Sequence, residues 1–269
     1  MQLSQNYLEN LKSQLDKLVE QYNNLDFIEN DPISIPHLFT RKEDIEISGF
    51  LTATISWGKR PMILKNAHQM MEMLDFAPYD FVISHEESDL AKLPHFVHRT
   101  FSKEDFKYFL RSLKNIYLNH DGLESIFKTY QGDAFLHEAI TQLHQIFFTL
   151  EHEKRTQKHV ANPSKGSVAK RIHMFLRWMI RKDDKEVDFG IWDIAAAKLS
   201  CPLDVHSGTI ARRLHLITRK NNDLKALAEL DSYLRYFDSA DPAKYDFALF
   251  GLGVNDGFEE WITRIGGSL

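Results

Sequence analysis

The chain has 269 residues, 43% of them hydrophobic, enough to fill one large helical domain or two lobes sharing a core. Its 12 glycines and 8 prolines, and the near absence of alternating Val-, Ile- and Thr-rich runs, exclude an extended sheet and predict an all-α fold. A net charge of −5 argues against a uniformly basic nucleic-acid surface, and a single cysteine, Cys201, excludes an internal disulfide, a four-cysteine zinc site and a four-cysteine iron–sulfur cluster.

In chain order, residues 1–25 open with a polar amphipathic pattern in which Leu8, Leu11, Leu15, Leu18, Val19 and Tyr22 keep helical spacing. That segment is no apolar signal core, and no apolar run approaches bilayer length, so a cytoplasmic protein with no membrane partner is expected. Residues 30–39, with two prolines, read as a connecting loop. Residues 43–57 form a mostly apolar helix stopped by Gly58, and Pro61 marks the start of another over 62–74. Ser102 and Asp105 resemble a capping box before Phe106, Phe109, Leu110 and Leu113. Residues 134–150 give a further amphipathic helix.

Residues 152–167 lack an apolar period and read as the clearest internal linker. Within 154–171 stand six basic residues, Lys154, Arg155, Lys158, Lys165, Lys170 and Arg171, and no acidic one. The remainder of the chain therefore carries −11, the −5 total less these six. A helix over 168–181 follows, then a polar break, a small helix over 191–199, and helices over 205–217, 224–237 and 245–252. Asp204 stands where an N-cap belongs for the helix it precedes.

The run Pro202-Leu203-Asp204-Val205-His206-Ser207-Gly208-Thr209-Ile210-Ala211-Arg212-Arg213-Leu214 carries an aspartate, a histidine two residues on and an Arg-Leu pair. It resembles the segment of the helix-hairpin-helix base-excision DNA glycosylases in which Val-Asp-Thr-His opens a helix ending in Arg-Leu-Gly-Leu. Together with the run from Lys170 and the stretch 245–253, it also resembles an uncharacterised bacterial family of the DUF2400 type. The likeness covers most of residues 40–255 in order.

The resemblance implies a two-lobed glycosylase fold without an iron–sulfur cluster. The middle lobe spans about 62–150, and the other is built from both chain ends, about 1–61 and 151–269. DNA crosses the cleft between them. It further implies a monomeric DNA-repair enzyme without a cofactor, acting on a flipped, damaged base. Asp204 matches the catalytic aspartate, whose charge stabilises the sugar cation formed as the N-glycosidic bond breaks. In the bifunctional members a lysine after a glycine-containing hairpin attacks the sugar, and Lys170 is the candidate. It lies 34 positions before Asp204, closer to the archaeal 8-oxoguanine glycosylase branch, with Lys182 and Lys185 as rivals.

By the same resemblance Lys165, Gly166, Ser167, Arg171, Arg212 and Arg213 meet the DNA backbone, while Trp57, Lys59, Arg60 and His206 meet the base and its surroundings. Two other readings stay open. One is a helical module that binds nucleic acid or a protein without catalysis, with Asp204 only a cap. The other is a metal-dependent phosphohydrolase using His98 and the His120-Asp121 pair.

Overall fold

The computed structural model describes residues 3–130, 132, 135–254 and 258–264. Helices dominate, and the strands found among these residues are two short ones, β1 (Val97–His98) and β2 (Phe101–Ser102), paired antiparallel with Val97 opposite Ser102. The chain divides into two compact units, residues 28–164 and residues 1–27 with 165–269. Segments 28–61 and 151–164 thus pack with the middle residues, where the sequence reading assigned them to the chain ends. No helix among the described residues is long and apolar enough to cross a membrane.

The middle unit contains α3 (Lys42–Ile55), α4 (Arg60–Met73), α5 (Pro78–Ser84), α6 (Glu87–Lys92), α7 (Lys103–Asn119), α8 (Gly122–Thr129) and α9 (His137–Phe147). Its core is aromatic: Phe109 meets the Phe147 ring at 4.7 Å and the Phe101 ring at 5.1 Å, with Phe50 stacked alongside at 6.0 Å. The expected capping box forms at the start of α7, where Asp105 accepts from the Ser102 amide and Ser102 Oγ accepts from the Asp105 amide. The helix expected over 134–150 is α9, and residue 134 lies outside the described residues.

Two stretches read as loops are packed structure. Residues 30–39 hold two 3₁₀ turns with Pro32, Ile33, Ile35 and Pro36 buried. The boundary between the units falls after Ser164, inside the stretch 152–167 read as a linker, but its first part is packed: Thr156 and His159 are buried and the turn Lys154–His159 delivers Arg155 and Thr156 to Asp105. Against the opposing effect of burial, hydrogen bonds from His159, Ser102 and Thr156 hold the fully buried Asp105 carboxyl far below the usual carboxylate range.

The other unit is built from α1 (Gln5–Tyr22), α10 (Lys170–Ile180), α11 (Val205–Arg213), α12 (Leu224–Phe237), α13 (Tyr245–Val254) and α14 (Phe258–Arg264). Leu11, Leu15 and Leu18 of α1, Ile210 of α11, Leu227 and Leu230 of α12 and Leu249 of α13 share one core. Gly251 lets α13 lie against α1, since a Cβ there would collide with the Tyr22 ring.

The helix expected over 191–199 does not form apart from one 3₁₀ turn, Ala196–Lys198. The segment instead runs along the end of α10, where the amides of Phe189 and Trp192 donate to the carbonyls of Trp178 and Met179, and the Trp192 ring meets Phe175 edge-on at 5.4 Å. Tertiary partners for backbone and side chain override the local helical pattern. The helix expected to reach residue 217 stops at Arg213. His215 takes a left-handed φ of 58°, and the amides of His215 and Leu216 close back onto the carbonyls of Arg212 and Ala211.

On α12, Asp231 is almost fully buried and accepts from the Cys201 amide. Burial pushes its carboxyl up to about 6. The folded chain then binds a proton at Asp231 between about pH 4 and 6 where the unfolded chain does not, and this contribution to stability is lost as pH rises through that window. Asp231→Asn removes it. In denaturant unfolding at pH 4, 5, 6 and 7, the wild-type stability relative to the variant should fall by a few kcal/mol as pH rises across that range; parallel curves would contradict the assignment.

Candidate functional site

The start of α11 is organised around Asp204. Asp204 is in extended conformation, and its Oδ1 accepts from the Ser207 amide at 2.9 Å while its own amide donates to Ser207 Oγ at 2.9 Å. One carboxylate oxygen therefore satisfies the helix end. The other, Oδ2, lies 3.8 Å from Lys170 Nζ. The Asp204 side chain is 19% exposed and that of Lys170 is 41% exposed, so the pair lies at the surface rather than in the core.

Lys170 is the first residue of α10, after a hairpin that turns twice. Asn162 Oδ1 accepts from Ser164, Pro163–Lys165 make one 3₁₀ turn, and Gly166 follows at φ +85° with open space around it. Ser167 Oγ then accepts from the Ala169 amide, and Ala169 takes a left-handed conformation that aims Lys170 out of the turn. Lys165 and Gly166 are exposed, and Arg171 is half-buried, with burial pushing its guanidinium down to about 10. Two basic residues at a helix start oppose the helix dipole, a placement that costs roughly 0.3–1 kcal/mol for each. Capping accounts for Asp204, but it gives no reason for Lys170.

Of the rival lysines, Lys182 is exposed and Lys185 has a carboxylate partner other than Asp204. Lys185 Nζ pairs with Glu20 at 3.0 Å, and the backbone and Cβ of Lys182 crowd Gly190. His206 is exposed, and its Nδ1 donates to the Gly253 carbonyl at 3.2 Å. Arg213 pairs with Glu259 and covers the Phe258 ring at 3.8 Å. Arg212 turns inward: Nε donates to the Arg219 carbonyl and Nη2 to Asn222 Oδ1, both at 2.6 Å. Asn222 Nδ2 in turn donates to the Asp204 carbonyl at 2.6 Å. Sequence reading passed over Asn222, because Asn221-Asn222-Asp223 carries no signal beyond a polar loop and a helix cap.

In the middle unit the structure groups the other candidates. Trp57 is half-buried, its ring edge-on to His98 at 5.0 Å and stacked with His159 at 5.9 Å. His98 accepts from Asn66 at Nδ1, so its Nε2 carries the proton and donates to the Trp57 carbonyl at 3.1 Å. Gly58, at φ +115°, and exposed Lys59 then lead to half-buried Arg60 at the start of α4.

Behind α11 lies a buried ionic network. Arg177 of α10 donates from Nε to Asp188 at 3.2 Å and from Nη1 to Asp246 of α13 at 2.5 Å, and its guanidinium covers the Phe247 ring at 4.3 Å. Arg181 adds Asp188 at 3.1 Å and Asp241 at 2.8 Å, together with Asp183. Burial pushes the Asp246 carboxyl up to about 6 against the pull of Arg177, and the charge of Asp204 pushes the same way as burial. Cys201 Sγ donates to Asp246 at 3.7 Å, and burial with these carboxylates pushes its thiol far up, so it is no ready nucleophile. Removing one partner from such a network costs about 3–5 kcal/mol. Arg177→Met should therefore lower the melting temperature by roughly 6–15 °C; calorimetry showing no shift would mean the network contributes nothing net.

No curated protein and no solved structure matches the chain. A family model described as "Protein of unknown function (DUF2400)" matches residues 31–255, a span that includes Trp57, Lys170, Asp204, Asn222 and Asp246. By that match the chain belongs to the DUF2400 family.

Proposed function

We propose that Lys170 and Asp204 form the active centre of a DNA N-glycosylase with abasic-site lyase activity, of the helix-hairpin-helix type. The observation that carries this reading is the approach of Lys170 Nζ to Asp204 Oδ2, 3.8 Å, with both side chains partly exposed. An amine beside a carboxylate is the minimum apparatus for covalent cleavage of an N-glycoside. The ammonium gives a proton to solvent, and the Nζ lone pair attacks C1′ of the deoxyribose. The glycosidic bond breaks with its electron pair leaving on the base, which takes a proton from water. Ring opening moves a proton from Nζ to the ring oxygen and leaves an iminium between Lys170 and C1′; loss of a C2′ proton to solvent then expels the 3′-phosphate and cuts the strand. Through the first step the carboxylate of Asp204 stabilises the cationic sugar.

The hairpin before Lys170 supports a DNA ligand. Lys165 and Gly166 are exposed, Gly166 has space around it, and the turn leads directly to the proposed nucleophile. Trp57, Lys59 and Arg60 are proposed as DNA contacts of the middle unit, by an aromatic face and two cations. Arg212 leaves this set, since its guanidinium is occupied within the protein. The phosphohydrolase reading has no comparable support. His98 is buried against Asn66 and the Trp57 carbonyl, while His120 and Asp121 form the turn between α7 and α8.

Borohydride trapping on duplex oligonucleotides carrying an abasic site or 8-oxoguanine tests the chemistry. The full chain should give a covalent adduct. Lys170→Gln should give none while keeping the wild-type circular-dichroism spectrum, and Asp204→Asn should slow adduct formation by about 100-fold or more. An adduct that persists in Lys170→Gln would remove Lys170 as nucleophile; no adduct from the wild type on either substrate would leave the non-catalytic module as the better reading.

A further inference from the structure

An N-cap needs one side-chain acceptor, and Asp204 is held by more than that. Its carbonyl oxygen accepts twice, from the Gly208 amide at 3.0 Å and from Asn222 Nδ2 at 2.6 Å. The second donor comes from 18 residues away, out of the loop between α11 and α12. The orientation of the Asn222 amide is forced, because a guanidinium can only donate and Arg212 Nη2 meets Oδ1 at 2.6 Å, leaving Nδ2 for the Asp204 carbonyl. Arg212 is itself fixed by its bond to the Arg219 carbonyl at 2.6 Å. Arg219 is clamped to Asp223, which caps α12.

Gly208 completes the device. A Cβ at that position would stand 2.8 Å from Asn222 Oδ1, 2.9 Å from Arg212 Nη1 and 3.0 Å from Asn222 Nδ2. The glycine sits inside a helix, where it costs about 1 kcal/mol relative to alanine, and its reason is the close approach of this amide and guanidinium.

We propose that Asn222, set by Arg212 across Gly208, is a positioning residue for Asp204: it pins the backbone of Asp204 so that, with Oδ1 engaged by the cap, Oδ2 keeps its bearing on Lys170. The inference rests on the reading of Lys170 and Asp204 as the active centre. Rotation of the Asp204 peptide is opposed from two sides, by Gly208 within the helix and by Asn222 from outside it. A hydrogen bond to a carbonyl at this place changes no charge at the site. Its effect is geometric, and a misplacement of about 1 Å at a reacting group costs on the order of 100-fold in rate.

Two variants isolate the donor. Asn222→Asp keeps the size and keeps an acceptor for Arg212 but removes the N–H that meets Asp204; Asn222→Leu keeps the bulk and removes both functions. In single-turnover borohydride trapping on an abasic duplex, each should slow adduct formation by about 30-fold or more, with affinity for the duplex within about threefold of wild type. In the same proteins without DNA, exchange of the Ser207 and Gly208 amides should quicken about tenfold while exchange in the body of α12 stays unchanged.

Unchanged amide exchange in both variants overturns the proposal whatever the enzyme does. Faster exchange with an unchanged trapping rate overturns it too, because the bond would then serve the fold alone. If the wild type forms no adduct, the glycosylase reading falls, and the exchange data still decide whether Asn222 orders the turn that carries Asp204.

Discussion

The buried guanidinium of Arg177 is the interaction on which the candidate site depends. It projects from the helix that Lys170 begins, takes Asp188 from the following loop and Asp246 from α13, and rests on the Phe247 ring. Helix α13 also packs against α11, the helix that Asp204 caps, and Leu249 shares the core that holds Ile210. The spacing between an amine on one helix start and a carboxylate on another is therefore set from beneath by a charge that cannot leave the core without its partners. An apolar side chain would fill the volume, but it would not fix the rotation of α10 about its axis. Two directional carboxylates do, because each accepts from a different nitrogen of one planar group.

Above that network the site divides labour within single residues. Asp204 gives one oxygen to the helix end and turns the other to Lys170, so the group that starts α11 also faces the amine. The arrangement orders the carboxylate before any ligand arrives, since the cap holds its rotamer and the backbone is tied on both sides of the carbonyl. Lys170 differs. At 41% exposure, and at the unfavourable end of a helix dipole, it gains little from the fold except its approach to Asp204.

How much of this could be read from the sequence followed the range of the interactions. The capping box at Ser102 and the N-cap at Asp204 were legible, because a cap is decided by residues close in sequence. The end of α11 was not, because its left-handed turn forms on His215 rather than on a glycine or asparagine that would mark it. The stretch 191–199 carries a helical pattern, yet the last carbonyls of α10 and the ring of Phe175 claim it first. Sequence order offered Lys170, Lys182 and Lys185 as alternatives beside Asp204, and the fold brings Lys170 Nζ within 3.8 Å of Oδ2 while Lys185 pairs with Glu20. Asn222 was invisible, since a polar residue in a polar loop acquires meaning only from the carbonyl 18 residues away that it meets.

Net charge was the weakest guide, for an identifiable reason. The −5 total counts every carboxylate alike, but Asp188, Asp241 and Asp246 are tied to Arg177 and Arg181 in the interior, and Asp105 is enclosed by Ser102, Arg155 and Thr156. A carboxylate at contact distance from a guanidinium projects less field into solvent than an exposed one, and a formal sum does not record where a charge sits. The basic stretch is thinned by the same pairing, since Arg155 is committed to Asp105 and Arg171 is half-buried. Exposed cation in that stretch remains at Lys154, Lys158 and Lys165, and Lys165 directly precedes the glycine of the hairpin that leads to Lys170. An anionic polymer approaching this hairpin meets lysine and open backbone, while the carboxylates of Asp105, Asp188 and Asp246 lie inside the protein, held by arginine.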